Sequence, residues 1–155
     1  MDLYDSLLIA SQSYKNSRQR IIFTCQIFYS GTLEFSEKDS IICYKRIFTG
    51  DNITFKFYLK NSPKFIRIDP GYFYSIHQNV QVYVIRINEN QEEETIDCNP
   101  AENSIFSHNI YTDFSEKGLL MVCGYDPHYV FENKFVDNNI CIIFKSHFLL
   151  GVSEK

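Results

Sequence analysis

The stretch Lys64–Pro70, KFIRIDP, reads as a β-strand that runs into a hard stop. Phe65, Ile66 and Ile68 supply apolar side chains, while Arg67 and Asp69, two residues apart, put opposite charges on one face. Pro70 lacks an N–H and ends the hydrogen-bond ladder, and Gly71 permits the turn that follows. A second Asp-Pro, Asp126-Pro127, repeats the arrangement after another apolar run.

Outward from this segment the dominant period is two. Ile21, Phe23, Cys25, Ile27 and Tyr29 form one face of a first strand, which Ser30-Gly31 breaks. Ser40 to Phe48 resumes as a strand, and Thr49-Gly50-Asp51-Asn52 is a turn signal. Ile53, Phe55, Phe57 and Leu59 alternate with Thr54, Lys56, Tyr58 and Lys60, the pattern of a half-buried strand with one wet face. After a loop over residues 71–79, Val80, Val82 and Val84 face one way along the next strand, and Tyr83, Ile85 and Ile87 the other. Residues 95–110 are weakly patterned, with strand candidates at Ile96 and at Ile105-Phe106, and Tyr111–Lys117 reads as a loop. Gly118–Tyr125 is an apolar strand that His128–Glu132 can continue. Ile140, Ile142, Phe144, Ser146 and Phe148 mark the core face of a long last strand.

About nine strands separated by short turns predict an all-β, antiparallel two-sheet sandwich, jelly-roll-like in its handling of edges. Residues 1–19 read as a short N-terminal helix and linker, with Leu3, Leu7 and Leu8 at helical spacing, and residues 20–155 as the sandwich domain.

Composition agrees with one globular domain. At 155 residues a sizeable core needs no staples, and 45% hydrophobic with 22% charged residues is ordinary for a soluble protein. A net charge of −4 without a basic stripe argues against nucleic acid as a partner and against an anionic membrane surface. No apolar run is long enough for a transmembrane helix. The five cysteines, Cys25, Cys43, Cys98, Cys123 and Cys141, are odd in number and form no Cys-x-x-Cys pair, and no secretory leader precedes them. They read as reduced thiols in a cytoplasmic protein.

Three groups are candidates for a site. Arg67 and Asp69, with Pro70, form a motif that either fixes the strand end or holds a polar ligand. The first of these weighs more, because charged residues at strand ends usually serve the fold. Tyr72, Phe73 and Tyr74 could offer flat faces to a sugar, with His77 or Gln78 donating hydrogen bonds, or could plug the end of the sandwich as core aromatics. Tyr125, Asp126 and His128, beside Pro127 and Tyr129, form the third group, which reads as a surface turn or a ligand contact. Cys123 and His128 lack a zinc spacing, so neither a metal nor any other cofactor is expected. A small jelly-roll enzyme acting on sugars would want a His-x-His pair, but His77, His108, His128 and His147 are scattered singly. There is no Gly-x-Ser-x-Gly elbow and no phosphate loop.

Three anchors in order carry a resemblance: Gln26-Ile27-Phe28-Tyr29 followed by Glu34-Phe35-Ser36-Glu37-Lys38-Asp39-Ser40, then Ile66–Pro70, then Tyr125-Asp126-Pro127. Over residues 20–148 this order resembles a β-sandwich accessory domain found with bacterial glycosyltransferases and with rhamnan- or lipopolysaccharide-biosynthesis proteins. The resemblance implies a non-catalytic, carbohydrate-binding-like module, with a glycan or a glycosyltransferase in trans as partner. The chain departs from that pattern in carrying no transferase domain and no DxD-type metal–sugar site. A protein-binding or structural sandwich remains the alternative, motivated by the abundance of Phe and Tyr.

Overall fold

The computed structural model describes residues 20–71, 74–98, 110–115, 118–124 and 126–152. Two antiparallel sheets make up the body. The first has the order β2 (Ser40–Phe48), β1 (Arg20–Ser30), β4 (Phe65–Pro70), β9 (Tyr129–Glu132). The second runs β3 (Asn52–Leu59), β10 (Ile140–Val152), β5 (Tyr74–Ile87), β8 (Gly118–Cys123), β7 (Ile110–Ser115), and β6 (Glu93–Asp97) pairs with the far half of β5. Beyond these strands, a single 3-10 turn, Glu37–Asp39, is the only helical element among the described residues. The expected N-terminal helix lies outside the described residues.

The period of two translates directly into layers. Phe23, Cys25 and Ile27 of β1 and Ile66 and Ile68 of β4 point inward, as do Ile53, Phe55, Phe57 and Leu59 of β3. The ring of Phe23 bridges the two sheets. Its centroid lies 5.9 Å from Phe55, 5.7 Å from Phe148 and 5.4 Å from the His77 imidazole. Aromatic pairs at these separations add to the burial of their area, so this cluster is the centre of the core.

Three expectations need correction. Residues 74–79 are strand, not loop. Ser75 and His77 face inward, and so do Val80, Val82 and Val84, an odd set followed by an even one. The change of parity occurs at Asn79, whose φ of 54° marks an irregularity, and the register with β10 shifts there between Lys145 and His147. Such a bulge breaks the alternation that would have revealed the strand. Tyr111–Lys117 is likewise not a loop, since Ile110–Ser115 pairs with β8 over six positions. Its Tyr-Thr-Asp-Phe-Ser run carries no clear pattern, and the neighbouring strand imposes the conformation. Finally, Tyr129–Glu132 does not continue β8 but crosses to the other sheet to pair with β4.

Gly71 makes the corner from β4 to β5. It sits at φ 88°, and a Cβ there would lie 3.1 Å from Cε2 of Phe23. Positive φ and the close ring together require glycine.

Candidate functional site

The outer face of the first sheet carries a polar cleft. Gln26 stands opposite Asp69 and Phe28 opposite Arg67 in the β1–β4 register, so four alternate positions on two strands make its floor. Phe35, Ser36 and Glu37 of the β1–β2 connection form one wall, and Gly71 and Asp126 line the other side. The volume is about 490 Å³, within the range of roughly 300–1,000 Å³ usual for small-ligand pockets.

Arg67 is the hub. Its Nε donates to Oδ1 of Asp69 at 2.7 Å and its NH2 to Oδ2 at 2.8 Å, a bidentate fork. The same NH2 lies 3.6 Å from Oδ1 of Asp126, and the guanidinium sits 5.0 Å above the Phe28 ring. Both Asp-Pro dipeptides therefore converge on one arginine. Pro70 and Pro127 are buried beside their exposed or half-exposed aspartates. Hydrogen bonding to Asp69 holds the Arg67 pKa above its usual value. Burial pushes the Asp69 carboxyl up, and the bonds from Arg67 offset part of that rise.

The opposite wall is tied down as well. Gln26 Nε2 donates to Glu37 Oε2 at 2.8 Å and to Ser40 Oγ at 3.0 Å, and Ser40 Oγ donates to the Glu37 carbonyl at 2.6 Å. These bonds hold the 3-10 turn over the sheet and pre-position the polar groups of the cleft.

The structure sorts the candidate residues. Arg67, Asp69 and Asp126 meet in the cleft. His128 sits at its margin, where Nδ1 lies 3.1 Å from the Asp126 carbonyl oxygen. Tyr74 is exposed and packs near Gly124, away from the cleft lining. His77 is not a surface donor. It is wholly buried, with Nε2 2.9 Å from Ser75 Oγ and Nδ1 2.9 Å from Ser146 Oγ. Burial lowers its pKa to about 3, so the ring is neutral and spent on the core. Tyr72, Phe73, Tyr125 and His108 lie outside the described residues.

Sequence reasoning missed Gln26, Phe28 and Glu37 as site residues. Gln26 and Phe28 were legible as the outward positions of β1; only the β1–β4 pairing shows that they face Arg67 and Asp69.

The five cysteines are free, and burial is the first cause of the raised pKa at Cys25, Cys98, Cys123 and Cys141. Such thiols are poor nucleophiles. Among the described residues no three His, Cys, Asp or Glu side chains are arranged to hold a metal ion, and no helix is long and apolar enough to cross a membrane. Compared with protein-family models, curated proteins and solved structures, the chain matches none.

Proposed function

We propose that this protein is a non-catalytic, carbohydrate-binding-like module whose ligand site is the cleft on the outer face of the first sheet. The observation that carries the reading is the cleft itself: a concave site with amide, carboxylate and guanidinium groups held in place by one another. Sugars present many hydroxyls that both donate and accept, and Gln26, Glu37, Asp69 and Asp126 offer matching partners. Three carboxylates line the cleft against one guanidinium, so a neutral or amino sugar is favoured over an acidic one.

Two further considerations support it. We read the winding as jelly-roll-like, because the chain changes sheet between β2 and β3, β3 and β4, β4 and β5, β8 and β9, and β9 and β10. That architecture is common among lectin domains. The three-anchor resemblance supplies the context of bacterial surface-polysaccharide assembly in the cytoplasm, with a glycosyltransferase in trans as a partner.

A panel of matched neutral, amino and acidic glycans tests the reading, with NMR shifts followed at Gln26, Glu37 and Asp69. Binding of neutral or amino members is expected, weakened about tenfold (~1.4 kcal/mol) by Gln26→Ala or Asp126→Ala. No shift in the cleft with any member of the panel overturns it. A protein-binding role is the second reading, favoured by the exposure of Ile22, Ile42 and Tyr44 on the same sheet.

A further inference from the structure

The edge of the first sheet is unusually bare. β2 is its outermost strand, and among the described residues no strand lies against its free side. It pairs with β1 over nine consecutive positions without a bulge, and its sequence, SIICYKRIF, contains neither proline nor glycine. Proteins usually blunt such an edge with prolines, bulges or charges. Of the two charges in β2, Lys45 turns away from the edge, its ammonium bonding the Thr54 carbonyl of β3 and lying 5.3 Å from the Phe55 ring centroid, which leaves the exposed Arg46 near one end of the strand. Meanwhile Ile42 is 49% and Tyr44 73% exposed.

The backbone polarity of this edge follows from one proline. In an antiparallel ladder, residues alternate between pairs that exchange N–H···O bonds and pairs that do not. Cys25 of β1 stands opposite Pro70 on one side and Cys43 on the other. Pro70 has no N–H, so Cys25 bonds toward Cys43 and the odd-numbered residues of β2 bond back to β1. The even-numbered residues then point their N–H and C=O groups outward. Phe48 confirms the phase: its N–H donates to Asp51 Oδ2 at 2.8 Å and its carbonyl accepts from Asp51 N at 3.1 Å, both away from β1.

We propose that this edge pairs with the β2 strand of a second copy of the chain, antiparallel about a two-fold axis at Cys43. Four residues, Ser40, Ile42, Tyr44 and Arg46, present outward backbone groups, whereas those of Phe48 are taken by Asp51. A two-fold through Cys43 matches Ser40 with Arg46 of the other copy and Ile42 with Tyr44, using all four. A two-fold through Tyr44 would match Ser40 with the occupied Phe48. The Cys43 register places apolar Ile42 against Tyr44, puts Arg46 one position from the Asp39 of the other copy, and opposes no like charges. It brings the two Cys43 residues together as a non-bonded pair, with Cα atoms about 4.5 Å apart, a separation a disulfide can bridge.

Sedimentation of the full chain, with oxidative trapping, tests this. Wild type is expected at twice the 18.3 kDa chain mass. Tyr44→Pro is expected to be monomeric with an unchanged far-UV spectrum, because the N–H it removes points off the sheet. Ile42→Lys gives the same loss of dimer and decides the matter should Tyr44→Pro fail to fold. With oxidised glutathione, two Cys43 thiols give up two protons and two electrons, forming one intermolecular disulfide and two reduced glutathiones. The trapped dimer is absent in Cys43→Ser, which still sediments as a dimer. A monomeric wild type, a dimer indifferent to both edge variants, or trapping that persists without Cys43 overturns the proposal.

Discussion

His77 shows how one side chain sets the response of the fold to acid. Its ring is held neutral between Ser75 and Ser146 and is packed by Phe23, Phe144 and Phe148. In the unfolded chain the same imidazole titrates near pH 6.5, whereas in the fold its pKa is about 3. Between those values the unfolded state binds a proton that the folded state does not. The full stabilisation is therefore present above pH 6.5 and falls by about 1.4 kcal/mol per pH unit as pH drops toward 3. Asp69, whose carboxyl is pushed up, acts in the opposite sense over the carboxylate range. The His77 slope is thus best read from denaturant midpoints between pH 6.5 and about 5, and His77→Leu is expected to flatten it by one proton while lowering stability at neutral pH. Tyr129 makes a second case. It is fully buried and its hydroxyl has no hydrogen-bond partner among the described residues. Removing that hydroxyl in Tyr129→Phe is expected to raise stability by about 1 kcal/mol in urea unfolding; a loss of that size would reveal a partner for the oxygen.

Among the elements, strands with strict alternation were legible and those that break it were not. β3 could be read to within a residue or so because its inward and outward positions differ cleanly in polarity, whereas β2, whose outer face carries Ile42, Tyr44 and Phe48, was bounded instead by the Thr49-Gly50-Asp51-Asn52 turn signal. β5 was read only from Val80 onward, since the bulge at Asn79 shifts its parity, and β7 shows its strand character only beside β8. Sequence spacing also could not show that two turns lock together. Asn133 Nδ2 donates to Ser62 Oγ at 2.8 Å and to the Pro63 carbonyl at 2.9 Å, and Asn133 Oδ1 accepts from Phe135 N at 3.0 Å. Ser62 Oγ donates in turn to the Phe135 carbonyl at 2.8 Å. This buried cluster pins the β3–β4 turn to the β9–β10 connection, 71 residues away in sequence. Asn133→Ala strands several buried polar groups at once and is expected to cost about 2–4 kcal/mol, seen as a lower midpoint in chemical denaturation with no change in the slope. The cleft was half legible for the same reason as the strands. Asp69 and Asp126 stood out as charges beside prolines and Arg67 as the opposite charge two residues from Asp69, while Gln26 and Glu37 acquire meaning only through the β1–β4 register and the 3-10 turn.

At the scale of the whole molecule, the cleft lies across β1 and β4, on the sheet whose free margin is β2. An antiparallel two-fold runs perpendicular to the sheet it extends. Joining two copies at β2 therefore turns both clefts toward the same side, in one plane of eight strands. With strands about 4.8 Å apart and a rise of about 3.4 Å per residue, the clefts stand roughly 20–25 Å from each other. A repeating polymer can thread both at once, while a single sugar unit occupies each independently. The second contact then forms at an effective concentration set by the span, which raises apparent affinity with no new interaction in either cleft. Tyr44→Pro is expected to leave monosaccharide titrations unchanged and to weaken capture of the long chain, measured on an immobilised polysaccharide. A bare strand margin, ordinarily a hazard of aggregation, would then serve as the hinge-free yoke of a two-handed grip.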